Sequence, residues 1–181
     1  FGDCDATPTN GCEVDVTTNP QHCGGCGRAC SPGALCEVGA CRPAASCAEI
    51  HRAFPLLPSG TYTIRSDAQP AYPVYCDMAR DGGGWTLVLM APSAPAGVLG
   101  YDAVAWTDTS MIAADVTDPS RDVAMKNRAY LSVGFTQVRL CLRTDAACLI
   151  EPYVSDSARA LFSDDEVVGS RTAANFSVWG Y

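Results

Sequence analysis

An α+β fold is predicted for this 181-residue sequence: a small disulfide-rich module followed by an antiparallel sheet with short helices. Three observations lead there. Cys4, Cys12, Cys23, Cys26, Cys30, Cys36 and Cys41 crowd the first 45 residues among turn-forming Gly, Pro, Asn and Thr. From Ser46 onward, short runs rich in β-formers alternate apolar and polar side chains between turn residues. Only a few short stretches carry helix signals, and none is long.

Residues 1–45 have little to bury, since Phe1, Val14, Val16, Leu35 and Val38 are nearly the whole apolar inventory beyond Cys and Ala. Such a segment cannot hold a hydrophobic core and must be stapled covalently. Seven cysteines are an odd number, so pairing within the module gives three bridges and leaves one sulfur over. Which pairs form is open at this point. The density itself implies an oxidising compartment, so the protein is expected to be secreted or displayed at the cell surface. Cys23-Gly24-Gly25-Cys26 invites a redox or zinc reading, with His22, Cys30, Cys36 or Cys41 as further ligands. A redox pair of this kind sits at a helix N-terminus inside a βαβ unit, and two glycines with no periodic helix after them argue against it. Structural disulfides are the expectation.

Ser46-Cys47-Ala48-Glu49 fits a capping box, with Ser46 as N-cap and Glu49 reaching back to it, opening a short helix through about Ala53 that Pro55 stops. Thr61 to Ile64 alternates as a half-buried strand, a turn follows at Ser66 to Pro70, and Tyr72 to Cys76 returns. Then comes DGGGWTLV. A phosphate-binding loop would need a helix after its glycines, whereas Trp85 to Met90 is strand-like. Gly82, Gly83 and Gly84 are therefore read as a turn that visits positive φ between the segments Tyr72–Met78 and Trp85–Met90. Residues 91–122 suggest long loops. Gly134 to Leu142 reads as a strand, Cys141 and Cys148 flank a turn at Arg143-Thr144-Asp145, and Cys148 to Tyr153 returns. The spacing and the need for even pairing predict a Cys141–Cys148 bridge. Ser157 to Phe162 is a short helix.

The function classes narrow from here. Twelve basic against twenty acidic residues give a net charge of −8, with no basic run, which excludes nucleic acid as an expected partner. The longest apolar stretch, Trp85 to Pro92, is far short of the roughly 20 residues that span a bilayer, so no membrane insertion is expected. No GxSxG or HExxH occurs, and His22 and His51 lie in different modules. A Cys-His nucleophile could come only from Cys47 and His51 at helical i, i+4 spacing, and a structural bridge is the better use of Cys47. No catalytic residue is assigned, and enzyme activity is not expected. Asp3, Asp5, Glu13 and Asp15, and separately Asp164, Asp165 and Glu166, lack the offsets of an EF-hand loop and are read as solvated acidic surface. No metal or other cofactor is expected for these residues. Asn175-Phe176-Ser177 is a formal glycosylation acceptor. Trp85 is assigned to the core, and the sequence does not decide the roles of Trp106 and Trp179.

The runs SCAEI, SGTYTI, PVYCDM and DGGGWTLV, in that order and spacing, resemble the opening of the fibrinogen-like domain family, including its intelectin branch, over residues 46 to about 90. The resemblance implies a Cys47–Cys76 disulfide tying the first helix to the second strand. It also implies a Trp85 buried against the sheet, folded back onto the core by the glycine turn. Such domains are lectin-like modules that read sugars or acetylated groups, commonly with calcium. The family's calcium loop and pocket lie in its later part, and residues 91–181 show no match to them. That stretch resembles bacterial fibrinogen-like proteins more weakly, through Ala129-Tyr130 and Phe135 to Cys141. No ligand-binding residue is carried over. Residues 1–45 resemble a cysteine-rich repeat of large bacterial surface proteins, in which a further cysteine precedes the point where this chain begins. The expectation is therefore a truncated stapled module, 1–45, followed by the N-terminal portion of a fibrinogen-like domain, 46–181, with unpaired strand edges. The implied function is extracellular recognition of carbohydrate or glycoconjugate, with calcium a cofactor of the full-length domain only. A structural surface spacer is the alternative.

Overall fold

A computed structural model of the chain describes residues 2–4, 14–93, 97–100, 103–142, 148–163 and 176–180. In the first module three disulfides join Cys4 to Cys26, Cys23 to Cys36 and Cys30 to Cys41. Cys12 lies outside the described residues. Two strands, β1 (Leu35–Glu37) and β2 (Ala40–Arg42), form a hairpin whose register places Cys36 opposite Cys41. Among the described residues the remainder of the module is turns and irregular chain with one isolated bridge, Gly2 to Val14, in keeping with the scarcity of apolar side chains. Asp15 organises one of them: its carboxylate accepts from the Thr17 hydroxyl, the Thr18 hydroxyl and the Thr17 amide, and these bonds hold its pKa at about 2.

The module is seated on the rest of the chain. Leu35 packs against the main core, and Ala44 is fully buried within it. Gly33, at φ +80, lies so close to Tyr62 that a Cβ there would stand 2.7 Å from the ring. Arg42 bonds both Glu37 and Glu49, the second at 2.7 Å.

The helix α1 (Cys47–Ala53) begins where expected, with the Ser46 hydroxyl accepting from the Glu49 amide at 3.3 Å. Its cap differs in one respect. Glu49 accepts from the Ala45 amide at 2.6 Å rather than from Ser46, because Arg42 draws the carboxylate toward the preceding residues. Burial alone would raise the Glu49 pKa, but the Arg42 bond outweighs it and the carboxyl is held low. The α1 N-terminus is pinned to the sheet by the Cys47 amide, which donates to the buried Thr86 hydroxyl at 3.1 Å.

Among the described residues seven strands form one antiparallel sheet in the order β3 (Gly60–Ile64), β4 (Tyr72–Asp77), β5 (Trp85–Met90), β9 (Phe176–Gly180), β7 (Phe135–Leu142) and β8 (Cys148–Ser155). The seventh, β6 (Met125–Lys126), also pairs with β5. Two short helices, α2 (Ala129–Ser132) and α3 (Ala158–Ser163), flank β7 and β8 in sequence. The described residues between 91 and 122, expected as loops, hold 3-10 turns at Gly97–Leu99 and Val104–Trp106 and an isolated bridge from Ile112 to Lys126.

Strand β5 is buried at every position, which accounts for its unbroken apolar run WTLVLM. A bulge between Leu87 and Leu89, in its pairing with β9, shifts the side-chain alternation by one. Trp85, Leu87 and Met90 thus join one cluster with Met125 and Trp179, while Val88 and Leu89 join the main core with Ile50, Ile64, Val74 and Tyr130.

The last strand enters the middle of the sheet and pairs with both β5 and β7. The outer strands are β3 and β8. The β3 edge is partly covered by a parallel bridge between Ala44 and Ile64, with the Arg65 amide donating to the Ala44 carbonyl at 2.8 Å.

Candidate functional site

The residues singled out in the sequence converge on the β4–β5 turn. Cys76, in β4, bonds Cys47 at the start of α1, and both are fully buried. Beyond Asp77 the chain turns through Arg80–Gly82 and re-enters the sheet at Trp85, placed opposite Asp77. All three glycines take positive φ: 89° at Gly82, 75° at Gly83 and 82° at Gly84. At Gly83 the reason is close approach, since a Cβ would lie 2.3 Å from the Met78 carbonyl oxygen and 2.7 Å from the His51 ring. Asp81 is itself left-handed, at φ 51 and ψ 40, a conformation Asp tolerates. Its carbonyl accepts from the Trp85 indole at 3.3 Å.

The sequence did not announce what this turn encloses. Arg139 of β7 is 1 % exposed, and its guanidinium donates to Asp77 at 2.8 Å and to Asp81 at 3.1 Å. The same group lies between two indoles, 4.9 Å from the Trp85 ring and 4.5 Å from the Trp179 ring. Strand register puts it there, because Asp77 faces Trp85 across β4 and β5 and Arg139 faces Trp179 across β7 and β9. One clamp thus joins four strands. Burial pushes the Asp77 pKa up, but the Arg139 bond and the Arg80 and Ala79 amides outweigh it, so the carboxyl stays below its ordinary value. Two buried nitrogens, Arg139 Nε and His51 Nδ1, have no hydrogen-bond partner among the described residues.

A second buried cation was also missed. Lys126 of β6 is fully buried, and its ammonium donates to the Ala105 carbonyl at 2.6 Å and to the Asp108 carboxylate at 2.7 Å, with the Tyr130 ring centroid 5.3 Å away. Tyr130 in turn donates to the Trp106 carbonyl at 2.8 Å. These bonds bind the 104–108 segment to the core. The Lys126 bond, followed by the Ser110 hydroxyl, holds the Asp108 carboxyl below its ordinary pKa.

The two undecided tryptophans are both engaged internally. Trp179 is 6 % exposed and closes the Arg139 clamp. Trp106 packs on Phe162 at 5.0 Å and donates to the Gly100 carbonyl at 2.7 Å. The signal for Arg139 was present in GFTQVRLCL, whose single charge interrupts an otherwise strand-like run.

Cys141 and Cys148 are bonded to each other across β7 and β8. The Arg143-Thr144-Asp145 turn between them lies outside the described residues, as do Asp5, Glu13, Asp164, Asp165, Glu166 and Asn175. The sulfurs of Cys23, Cys30 and Cys41 lie within 4.8 Å of one another, but each belongs to a disulfide and offers no thiolate. A concavity of ≈ 250 Å3, lined by Ser46, Ala48, Arg52, Gly134, Phe135 and Thr136, lies between α1 and the start of β7.

Residues 46–94 match the family model of the fibrinogen beta and gamma chains, C-terminal globular domain. The match runs from the α1 cap through the clamp turn to the end of β5, and it supports a fibrinogen-like domain. The fold is α+β and disulfide-rich, consistent with a fibrinogen-like domain over the matched residues. Domains of this family act in binding, and five disulfides are typical of extracellular proteins. Among the described residues no helix is long and apolar enough to cross a membrane.

Proposed function

We propose that this chain belongs to an extracellular or cell-surface recognition protein that binds carbohydrate or acetylated groups, in a lectin-like manner, through a complete fibrinogen-like domain. The observation that carries this reading is the family match over residues 46–94. In it residues 1–45 are a stapled module and residues 46–181 the first portion of the recognition domain. Cys47, Cys76, Gly82, Gly83, Gly84 and Trp85 are its scaffold, and calcium is a cofactor of the completed domain. Recognition needs convergent polar groups in a preformed hollow. The Arg139 guanidinium is consumed internally by its two aspartates, and the hollow beside α1 is smaller than the roughly 300–1,000 Å3 of common ligand sites.

A glycan array probed in calcium and in chelator tests the reading. It is run with this chain and with any longer product of the same gene that completes the domain. The expected result is chelator-sensitive binding by the complete domain and none by the 181 residues alone. A complete domain that binds no glycan in calcium would sink the proposal and favour a structural spacer.

A further inference from the structure

We propose that the Cys141–Cys148 bridge is a thiol-exchange site, a disulfide that a dithiol opens and a disulfide oxidant recloses while the sheet stays folded. Three features taken together set it apart from the other bridges. First, it adds least to the chain's restraint. Its cysteines are 7 residues apart, against 11, 13, 22 and 29 for the others, and the constraint a crosslink places on the unfolded chain grows with the loop it closes.

Second, its mechanical work is duplicated. Cys141 and Cys148 stand directly opposite each other at the end of a ladder that continues through Leu140–Leu149, Arg139–Ile150, Val138–Glu151 and Gln137–Pro152. On its other side β7 is held by β9, where Arg139 faces Trp179 inside the clamp. Cys47–Cys76 has no such backup, for it ties a helix to a strand with no ladder between them.

Third, it can be reached. Cys47 and Cys76 are fully buried, whereas Cys141 and Cys148 are half-buried, and β8 is an outer strand with Leu149, Tyr153 and Val154 exposed. Cys4–Cys26 and Cys30–Cys41 also reach the surface, Cys26 and Cys41 being exposed, but among the described residues no strand ladder joins Cys4 to Cys26, and Cys30–Cys41 closes a longer loop in a module with little core to hold it. Thiol–disulfide exchange requires access of a thiolate in line with the bond, and that favours the outer hairpin over the core.

The exchange balances without further reagents. One thiolate of the dithiol attacks a bridge sulfur; the S–S bond breaks, and its electron pair leaves on the other cysteine as a thiolate. The second thiolate of the dithiol then attacks the mixed disulfide and releases the remaining cysteine. The dithiol is oxidised to its disulfide, and Cys141 and Cys148 take up two electrons and, on protonation, two protons. The structural consequence is local. Cys141 is the Cα partner of Ser177, and Leu142 is that of Phe176, so the bridge braces the end of β7 on which the first residues of β9 pair. Opening it loosens that end of β9 and leaves the clamp end fixed.

The test is titration of the whole chain with dithiothreitol, trapping of free thiols with a maleimide, and peptide mapping alongside hydrogen exchange. Labelling of Cys141 and Cys148 is expected at dithiol concentrations that leave Cys47 and Cys76 unlabelled. Amide exchange at residues 176–178 should then speed at least several-fold, with 137–139 unchanged. A Cys141→Ser/Cys148→Ser chain should fold and show the fast exchange at 176–178 without dithiol. The proposal fails if Cys47 and Cys76 are labelled at the same concentration, if exchange at 176–178 does not respond, or if the double variant does not fold.

Discussion

Gly83 carries a steric demand that Gly82 does not share. Both sit at positive φ, but a Cβ at Gly82 meets nothing within 4 Å, while at Gly83 it would run into the Met78 carbonyl, a backbone atom that cannot swing away. Gly83 also combines φ 75 with ψ 176, a region that is essentially glycine's alone. Gly82→Ala should therefore cost about 1–2 kcal/mol, the ordinary penalty of a left-handed residue. Gly83→Ala should cost distinctly more and disturb the Asp81–Arg139 contact as well. Thermal melts of the two variants decide this, and equal melting temperatures would mean that the turn is looser than the close approach requires. Three consecutive glycines made the turn legible in the sequence. Which of them is indispensable was not, because the obstructing carbonyl and the His51 ring come from outside the triplet.

At the scale of elements, the Arg139 clamp is the contact that makes β4, the glycine turn, β5, β9 and β7 one unit. Its pH dependence follows from the Asp77 carboxyl, whose folded pKa lies below the unfolded value of about 3.9. At neutral pH the carboxylate is charged in both states and its contribution is fully present. As pH falls through the unfolded value the unfolded chain takes up the proton first, so stability declines, and the contribution is gone once the folded pKa is passed. Asp77→Ala should lower stability at pH 7 by about 3 kcal/mol, since it strips one partner from a buried charge and leaves Asp81 as the other. It should also flatten the loss between pH 5 and pH 2. Asp108, Glu49 and Asp67 are held low as well, so some acid sensitivity remains in the variant. Urea unfolding of both chains across that range is the measurement; parallel curves would show that the clamp does not carry the acid-sensitive stability. The strands of this unit were readable from their alternation and their turns. Their joint use of one arginine was not, because Asp77 and Arg139 are 62 positions apart.

For the molecule as a whole, the position of β9 decides cohesion. Residues 176–180 supply the strand that links β3–β4–β5 to β7–β8, and Trp179 is one of the two faces covering the Arg139 guanidinium. A chain shortened by these residues should lose more than an ordinary terminal strand would remove. Two long strand edges would be exposed and a buried charge half uncovered. Loss of the near-ultraviolet circular dichroism of the tryptophans, with association on size-exclusion chromatography, is the expected outcome. A shortened chain that remains monomeric with its aromatic signal intact would show that the two parts of the sheet hold together without the strand.

What the sequence determined by itself was local or compositional: the need for staples in residues 1–45, the α1 cap at Ser46, the β3 and β4 alternation, and the glycine turn. Each of these rests on neighbours within a few residues or on totals over the chain. The tertiary structure alone decided the place of β9, the burial of Arg139 and Lys126, and the engagement of Trp106 and Trp179. The physical reason is the same in each case. A short strand has no local mark of its neighbours in a sheet, and a charge or an indole can be buried only when partners distant in sequence arrive to satisfy it. In this chain those partners lie on separate strands and loops, and only the folded sheet brings them together.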